Sequence, residues 1–402
     1  MGKYTSMRKV YYILQAKREA VQKELDARLA SESVIKTGFM IGEREAFIAY
    51  CDEMIQLIVG IYKTCRTCDN LVMRVPRFVL HELIRHELIE EIQQTNELEN
   101  VRSTRKEIRE SWEAVSAGKT DARFAGMLQK YELLLKDEAV TLATCSDVRA
   151  LYDSFILDEV LREDPDNAPD GVCFRAGPVN IYDAHDRCIH QGLFPEKAVM
   201  DAMERALAFL NNDGYERLIR IAAFHYMFGY IHPFYDGNGR MTRFISAYAL
   251  EEAGVPVLIS LRLSYAIKDK RREYYRLFKE ANDPRNFGDL TEFVVGLLGM
   301  IYSAGEDVCD YLREKAEKLE QYRQSLDKMD LKPDERELLF ILVQAALADS
   351  DGIDTKELAL TCKTSERTLR ELLKKLEPYW VKQKDGRKNV YRANLDSIHT
   401  IE

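Results

Sequence analysis

A mainly helical protein is what this sequence predicts, and three observations carry the expectation. Apolar residues recur at helical spacing along most of the chain, and strand-like runs are few. The composition, 46% hydrophobic and 31% charged, is that of an ordinary globular protein with ample core material. At roughly 150 residues per domain, the 402 residues predict two or three domains.

Residues 8–30 repeat apolar positions among Lys, Arg and Glu. Residues 43–64 do the same around Phe47, Ile55, Leu57, Ile58 and Ile61, so both stretches are expected to be helical. From Val75-Pro76 to residue 100 a long run sets Leu80, Leu83, Ile84 and Leu88 on one stripe, with Pro76 suited to a first helical turn. Further helices are expected over about 122–136, 146–161, 195–211, 214–231, 240–253, 263–281 and 288–325. The clearest strand signal in the middle is 172–175 followed by 179–182 across Ala176-Gly177-Pro178, which reads as a short hairpin. After about residue 326 the texture changes, and 327–334 reads as a charged linker. Helices are then expected at 333–348, 355–360 and 365–376, the last two separated by Thr361-Cys362-Lys363-Thr364. Two strand-like runs, 380–383 and 389–393, are joined through Asp385-Gly386, a strong hairpin signal. Helix, turn, helix and wing in that order resemble a winged-helix module.

Composition excludes several classes. With 20 Gly, 10 Pro, 21 Tyr and 16 Phe the chain is neither fibrous nor globally disordered. A net charge of −9, from 58 Lys and Arg against 67 Asp and Glu, argues against a whole-molecule nucleic-acid binder. No stretch approaches the ~18 to 20 uninterrupted apolar residues of a membrane span, and the N-terminus turns charged too quickly for a signal peptide. Gly2 and Ser6 fit a myristoylation start, a short pattern that recurs by chance and is set aside. Eight scattered cysteines are too dilute for a disulfide scaffold, so a reducing cytoplasm is expected.

The segment from Ile231 to Arg243 concentrates chemistry. A helix is expected to end near Ile231, Pro233 forces an extended exit, and Asp-Gly-Asn-Gly holds no regular element before apolar helix spacing resumes at Met241, Phe244, Ile245, Ala247 and Leu250. Glycines just before a helix let backbone N–H groups converge into an anion-binding nest. Arg240 and Arg243, one turn apart, add donors suited to phosphate oxygens. Asp236 offers a hard oxygen of the kind Mg²⁺ takes when shared with phosphates. His232 is a titratable base near neutrality. A lone Gly-Asn-Gly is ordinarily a turn and a lone His ordinarily structural. Here ligand, nest, base and two cations fall within twelve residues.

His232-x-Phe234-x-Asp236-Gly237-Asn238-Gly239-Arg240-x-x-Arg243 resembles the signature of Fic proteins, with every defining position present. The resemblance implies a mainly α Fic-fold core with a short β-hairpin flap, and transfer of AMP from ATP to a Ser, Thr or Tyr hydroxyl of a target protein. By that resemblance His232 deprotonates the hydroxyl and Asp236 holds Mg²⁺ against the α- and β-phosphates. Asn238 with the backbone of Gly237 and Gly239 cradles the phosphates, Arg240 grips the β- and γ-phosphates, and Arg243 orients the γ-phosphate. Phe234 pins the loop into the core. The intact Gly237 and Gly239 favour AMP transfer over the phosphorylation of some relatives. The hairpin, with Phe174, Arg175, Val179 and Ile181, lies where the family carries a flap that clamps target backbone by strand addition.

A second family element, Ser/Thr-x-x-x-Glu-Gly/Asn, is matched by Thr95, Glu99 and Asn100 at the end of the run that begins near Val75. It implies an N-terminal inhibitory helix whose Glu99 pairs with Arg243 and excludes the productive ATP pose. In some family members the same Glu removes AMP from the target instead, and that alternative stays open.

Other signals are weighed as structural. Cys65-x-x-Cys68 lacks a second pair, His81 and His86 read as surface residues, and His225 as a core or supporting residue. Glu87, Glu90 and Glu91 read as the solvated face of their helix. The C-terminal module is locally basic: Arg367 and Arg370 would reach a major groove and Lys384, Arg387 and Lys388 would meet phosphates, yet packing or target recruitment is weighed above DNA binding. The expected organisation is an N-terminal helical region over 1–104, a catalytic core over 105–325 and a winged helix over 333–396. Self-AMPylation and a homodimer are compatible partners, a membrane is not expected, and a nucleotide-sensing DNA-binding regulator is the rival reading.

Overall fold

The computed structural model describes residues 4–119, 121–136, 139–182, 188–348, 352–385 and 388–398. Gly2 and the Gly386-Arg387 tip of the expected wing lie outside the described residues. The chain forms two compact units, Met1–Cys65 with Leu88–Gly305, and Arg66–Glu87 with Glu306–Glu402.

The first unit opens with α1 (Met7–Ile13) and α2 (Arg18–Leu29). The single helix expected over 8–30 is broken because Gln15 and Ala16 adopt left-handed φ of 56° and 59°. Next comes a hairpin of β1 (Val34–Ile41) and β2 (Arg44–Ala49), with Ile35 opposite Ile48 and Ile41 opposite Arg44. This corrects the helix expected from 43. Gly42, at φ 57°, turns the chain, and all of Ala46–Ala49 is buried, so β2 lacks the alternation that marks a strand. Helices α3 (Asp52–Val72) and α4 (Arg77–Leu98) follow, both with residues in each unit. The unanticipated α5 (Arg105–Ser116) starts on a capping box: Glu107 N–H donates to Thr104 Oγ1 (3.2 Å) and Thr104 N–H to the Glu107 carboxylate (3.0 Å).

Beyond α6 (Ala125–Lys136), the helix expected over 146–161 is two, α7 (Cys145–Phe155) and α8 (Leu157–Glu163), parted at Ile156. The central hairpin also differs from expectation. Its strands are β3 (Asn180–Tyr182) and β4 (Cys188–Gln191), with Ile181 opposite His190. Residues 172–175 are not a strand because the Glu196 carboxylate takes the N–H groups of Val172, Cys173 and Phe174 at 3.0, 2.8 and 2.9 Å. That leaves no ladder donors on this stretch for a partner strand.

After α9 (Glu196–Leu210), α10 (Arg217–Ile231) and α11 (Asn238–Glu252) are buried almost all round, which marks them as the central helices of the unit. The loop between them carries the motif. Then follow α12 (Val257–Ser260), α13 (Leu263–Asp269), α14 (Arg271–Ala281) and the long α15 (Thr291–Lys328), which extends into the second unit. On α4, Glu87, Glu90 and Glu91 are buried rather than solvated. Glu91 accepts from Ser264 N–H (3.0 Å), Ser264 Oγ (2.5 Å) and Tyr131 OH (3.0 Å), and Glu90 pairs with Arg105.

The second unit includes α16 (Pro333–Leu347), β5 (Ile353–Asp354), α17 (Thr355–Thr361), α18 (Glu366–Lys375), β6 (Trp380–Asp385) and β7 (Lys388–Ala393). Its sheet has the order β5-β7-β6, antiparallel throughout. Asp354 and Ser365 cap α17 and α18 through the N–H groups of Glu357 (2.9 Å) and Thr368 (3.1 Å). No helix among the described residues is long and apolar enough to cross a membrane.

Candidate active site

α10 ends at His232, whose backbone is left-handed (φ 52°, ψ 64°), an uncommon conformation for a side chain branched away from glycine. The chain then turns through a loop locked by its own residues. Phe234 is fully buried, stacked on Tyr152 with ring centroids 3.6 Å apart and edge-on to Phe174 at 5.5 Å. The Asn238 side chain closes the loop. Its Oδ1 accepts from Phe234 N–H (2.9 Å) and its Nδ2 donates to Phe234 O (2.8 Å). These bonds use one of the two Nδ2 donors, so the amide both braces the loop and keeps one N–H for a phosphate.

Gly237 sits at φ 77° before the first turn of α11, where a Cβ would press on Tyr152, Ile156 and Val160 at 3.3 Å. The first N–H groups of a helix have no intrahelical acceptor, which at the start of α11 leaves those beside Gly239 suited to an anion. Asp236 stands at the edge of this nest, with Oδ1 accepting from Gly237 N–H (2.6 Å) and Oδ2 from Arg240 Nη2 (3.2 Å).

Both arginines are buried and engaged. Arg243 Nε donates to Thr95 Oγ1 (2.7 Å), and its Nη2 donates to Thr95 O (3.0 Å) and Glu99 Oε1 (2.7 Å). Thus the last turn of α4 brings Thr95, and Glu99 just beyond it, to one guanidinium. Asn100 follows in left-handed conformation (φ 61°) and ends the helix, which is why Asn substitutes for Gly at that place. A Cβ on Gly239 would collide with the Glu99 carboxylate. An anionic group already lies over the nest.

Electrostatics support the grouping. Burial pushes the Glu99 carboxyl up, but Arg243, by charge and hydrogen bond, and then Arg240 and His232 hold it below its ordinary value. Burial drives His232 down to about 4, with Glu99 opposing and His190 and Arg175 reinforcing the shift, so the imidazole is neutral at pH 7. His225 is fully buried, 2.8 Å from both Ser246 Oγ and Tyr274 OH, and burial drives it to about 3; it belongs to the core.

Residues 146–250 match the Fic/DOC family model. The protein adenylyltransferase Fic of Drosophila persimilis is 37% identical over 95 residues, 23% of this chain and 17% of that protein. That of Drosophila grimshawi is 37% identical over 95 residues, 23% of this chain and 18% of its own length. The chain therefore spans about a sixth of the length of the curated relatives it matches. The crystal structure of a Fic family protein from Desulfovibrio desulfuricans G20 shares the fold at a TM-score of 0.50 and 22% identity, over 86% of this chain and 97% of that one.

Within residues 146–250, the stretch that matches the family model, the structure adds contacts that spacing along the chain does not reveal. Glu163, the last residue of α8, grips Arg240: Nη1 donates to Oε1 (3.2 Å), with Nη2 3.5 Å from Oε2. An acidic residue at a helix C-terminus opposes the macrodipole, and that mismatch was a usable signal. Of the expected flap residues, Phe174 and Arg175 are fully buried under the loop rather than on the hairpin. Val179 O accepts from Gly192 N–H (3.0 Å) and Ile181 pairs within the hairpin. Neither Phe174 nor Arg175 presents a strand edge.

Proposed function

We propose that the chain is a protein adenylyltransferase that transfers AMP from ATP to a hydroxyl side chain of a target protein and is held inactive by Glu99. The observation that supports this reading is an intact Gly-Asn-Gly nest whose anion position is taken by the Glu99 carboxylate, itself paired with Arg243 at 2.7 Å; burial that keeps the nearby His232 imidazole unprotonated agrees with it. A base poised in its unprotonated form is what hydroxyl activation needs.

In the productive complex the hydroxyl oxygen attacks the α-phosphorus while its proton passes to the His232 imidazole. The bond from the α-phosphorus to the oxygen bridging to the β-phosphate breaks, and pyrophosphate leaves with the electron pair. The nest and the guanidinium of Arg240 neutralise charge on the leaving group, as phosphoryl-type transfers require. Asp236 fits a Mg²⁺ shared with the polyphosphate, since that ion takes one or two carboxylates alongside phosphate oxygens. When bound, the ion would supply further charge neutralisation. Arg243 would orient the γ-phosphate once Glu99 releases it.

The brake follows from the same contacts. A γ-phosphate and the Glu99 carboxylate compete for Arg243 and for the space over Gly239. In the C-terminal unit Arg370 donates to Glu366 (2.9 Å) and Arg367 lies 3.6 Å from Glu371, all on α18.

Incubating the protein in lysate with Mg²⁺ and ATP labelled on the α- or the γ-phosphate tests the chemistry. Label on protein from the α-position alone is the expected outcome. Label from the γ-position overturns AMP transfer in favour of phosphorylation.

A further inference from the structure

Arg175 is a fully buried guanidinium whose partners, among the described residues, are carbonyl oxygens. Nε donates to His232 O (2.9 Å), Nη1 to Gly177 O (2.5 Å), and Nη2 to Leu193 O (2.7 Å) with Ile231 O at 3.5 Å. Its own N–H donates to Pro233 O (3.1 Å). A buried charge without a carboxylate is unfavourable unless fixed dipoles replace water. Here they do: Ile231 and His232 are the C-terminal end of α10, where the helix dipole is negative and the last carbonyls have no intrahelical donors. The fit is close, because a Cβ on Gly192 would lie 2.5 Å from Arg175 Nη2 and 3.1 Å from His232 Cβ.

We propose that Arg175 is a positioning residue for His232: seated on the terminal carbonyls of α10, its guanidinium holds His232 in the left-handed conformation and fixes where the imidazole points. The inference rests on the reading of His232 as the base, and it gives Arg175 a task different from gripping target backbone. The same clasp ties the loop at Gly177 and the strand exit at Leu193 to the helix end, so the base of the hairpin and the motif loop share one anchor. The charge has a second effect. His232 faces burial first, then Glu99 just beyond α4, which favours its protonated form, His190 on β4 and Arg175, which disfavour it, and the Gly229 carbonyl, which accepts from the ring and favours it.

The test uses the full chain with labelled histidine, followed by NMR titration, the His232 signal being assigned by its loss in His232→Gln. The Arg175→Met variant is expected to shift the His232 midpoint upward by roughly one pH unit, whereas Arg175→Lys keeps it low. In a Glu99→Gly background both variants are expected to lower kcat by about tenfold or more with KM for ATP held within about twofold, the signature of a misplaced base. A His232 midpoint in folded Arg175→Met equal to that of the wild type overturns the proposal, as does a rate that falls only in step with ATP binding. Should Arg175→Met fail to fold, Arg175→Lys decides: a lower kcat at unchanged KM supports the role, and a kcat equal to the parent's rejects it. If Glu99→Gly transfers no AMP at all, it is the proposed function that fails, and the titration still decides Arg175.

Discussion

His232 is where local conformation and charge meet. Its ordinary value of 6.5 falls to about 4 because burial disfavours the imidazolium, so the neutral base persists through the acidic range. Transfer by a released enzyme is therefore expected to lose rate as pH falls towards about 4 rather than near 6.5. Glu99 raises the His232 value, so removing that carboxylate moves the acid limb of the free enzyme lower still; a kcat/KM profile of Glu99→Gly checks this. Phe234 acts by packing alone. Replacing it with Ala empties the stack between Tyr152 and Phe174 and is expected to destabilise the first unit by about 3 to 5 kcal/mol in denaturant unfolding. These motif residues were legible in the sequence because base, nest and cations lie within a few positions of one another. The partners of Glu163 and Arg175 were not, because each is met across the fold: Glu163 lies 77 positions from Arg240, and Arg175 lies 57 from His232. Periodicity and spacing report only neighbours along the chain.

At the level of elements, α4 has to be held firmly for Thr95 and Glu99 to reach Arg243. Glu91, a turn and more upstream, is the anchor: it accepts from Ser264 on α13 and Tyr131 on α6, wholly buried. Burial raises its carboxyl from 4.5 to about 7 despite those donors. A raised acid value means that folding binds a proton, so this contribution is complete below about 4.5 and is lost as pH rises through about 7. The wild type is expected to lose up to about 3 kcal/mol more than Glu91→Gln between pH 4.5 and 7 in urea unfolding, a difference that cancels the opposing histidines common to both proteins. Equal slopes in the two proteins would show that Glu91 does not titrate in this range. The helical periodicity of α4 was plain in the sequence, but which face was buried was not. Its acidic residues looked solvated, since nothing in their spacing announces the hydroxyls and amides that satisfy them. β2 was hidden for the complementary reason, being covered on both sides over Ala46–Ala49 and so carrying no alternation, whereas β1 alternates buried and exposed residues along Val34–Ile41 and did carry a strand signal. A helix boundary with a chemical signature, as at Thr104 and Glu107, was there to be read.

Over the whole molecule, the proposed function makes Glu99 a competitor that the chain itself carries. The Arg243 guanidinium is buried, while Glu99 retains 27% of its side-chain exposure, so the carboxylate is the partner of the pair that solvent reaches. Separating such a partly buried pair costs about 3 to 4 kcal/mol, which corresponds to a suppression of the productive ATP pose by roughly 10² to 10³. Arg240 stays neutralised by Glu163 and Asp236 in the same state, so the nest offers little free cation until nucleotide enters. The most direct measurement follows α-phosphate label from ATP onto protein in lysate with Mg²⁺, comparing wild type, Glu99→Gly, and Glu99→Gly combined with His232→Ala. The account predicts weak labelling by the wild type, an increase of roughly 10² to 10³ in the single variant, and none in the double. Equal labelling by wild type and Glu99→Gly, or labelling that survives loss of His232, would contradict it.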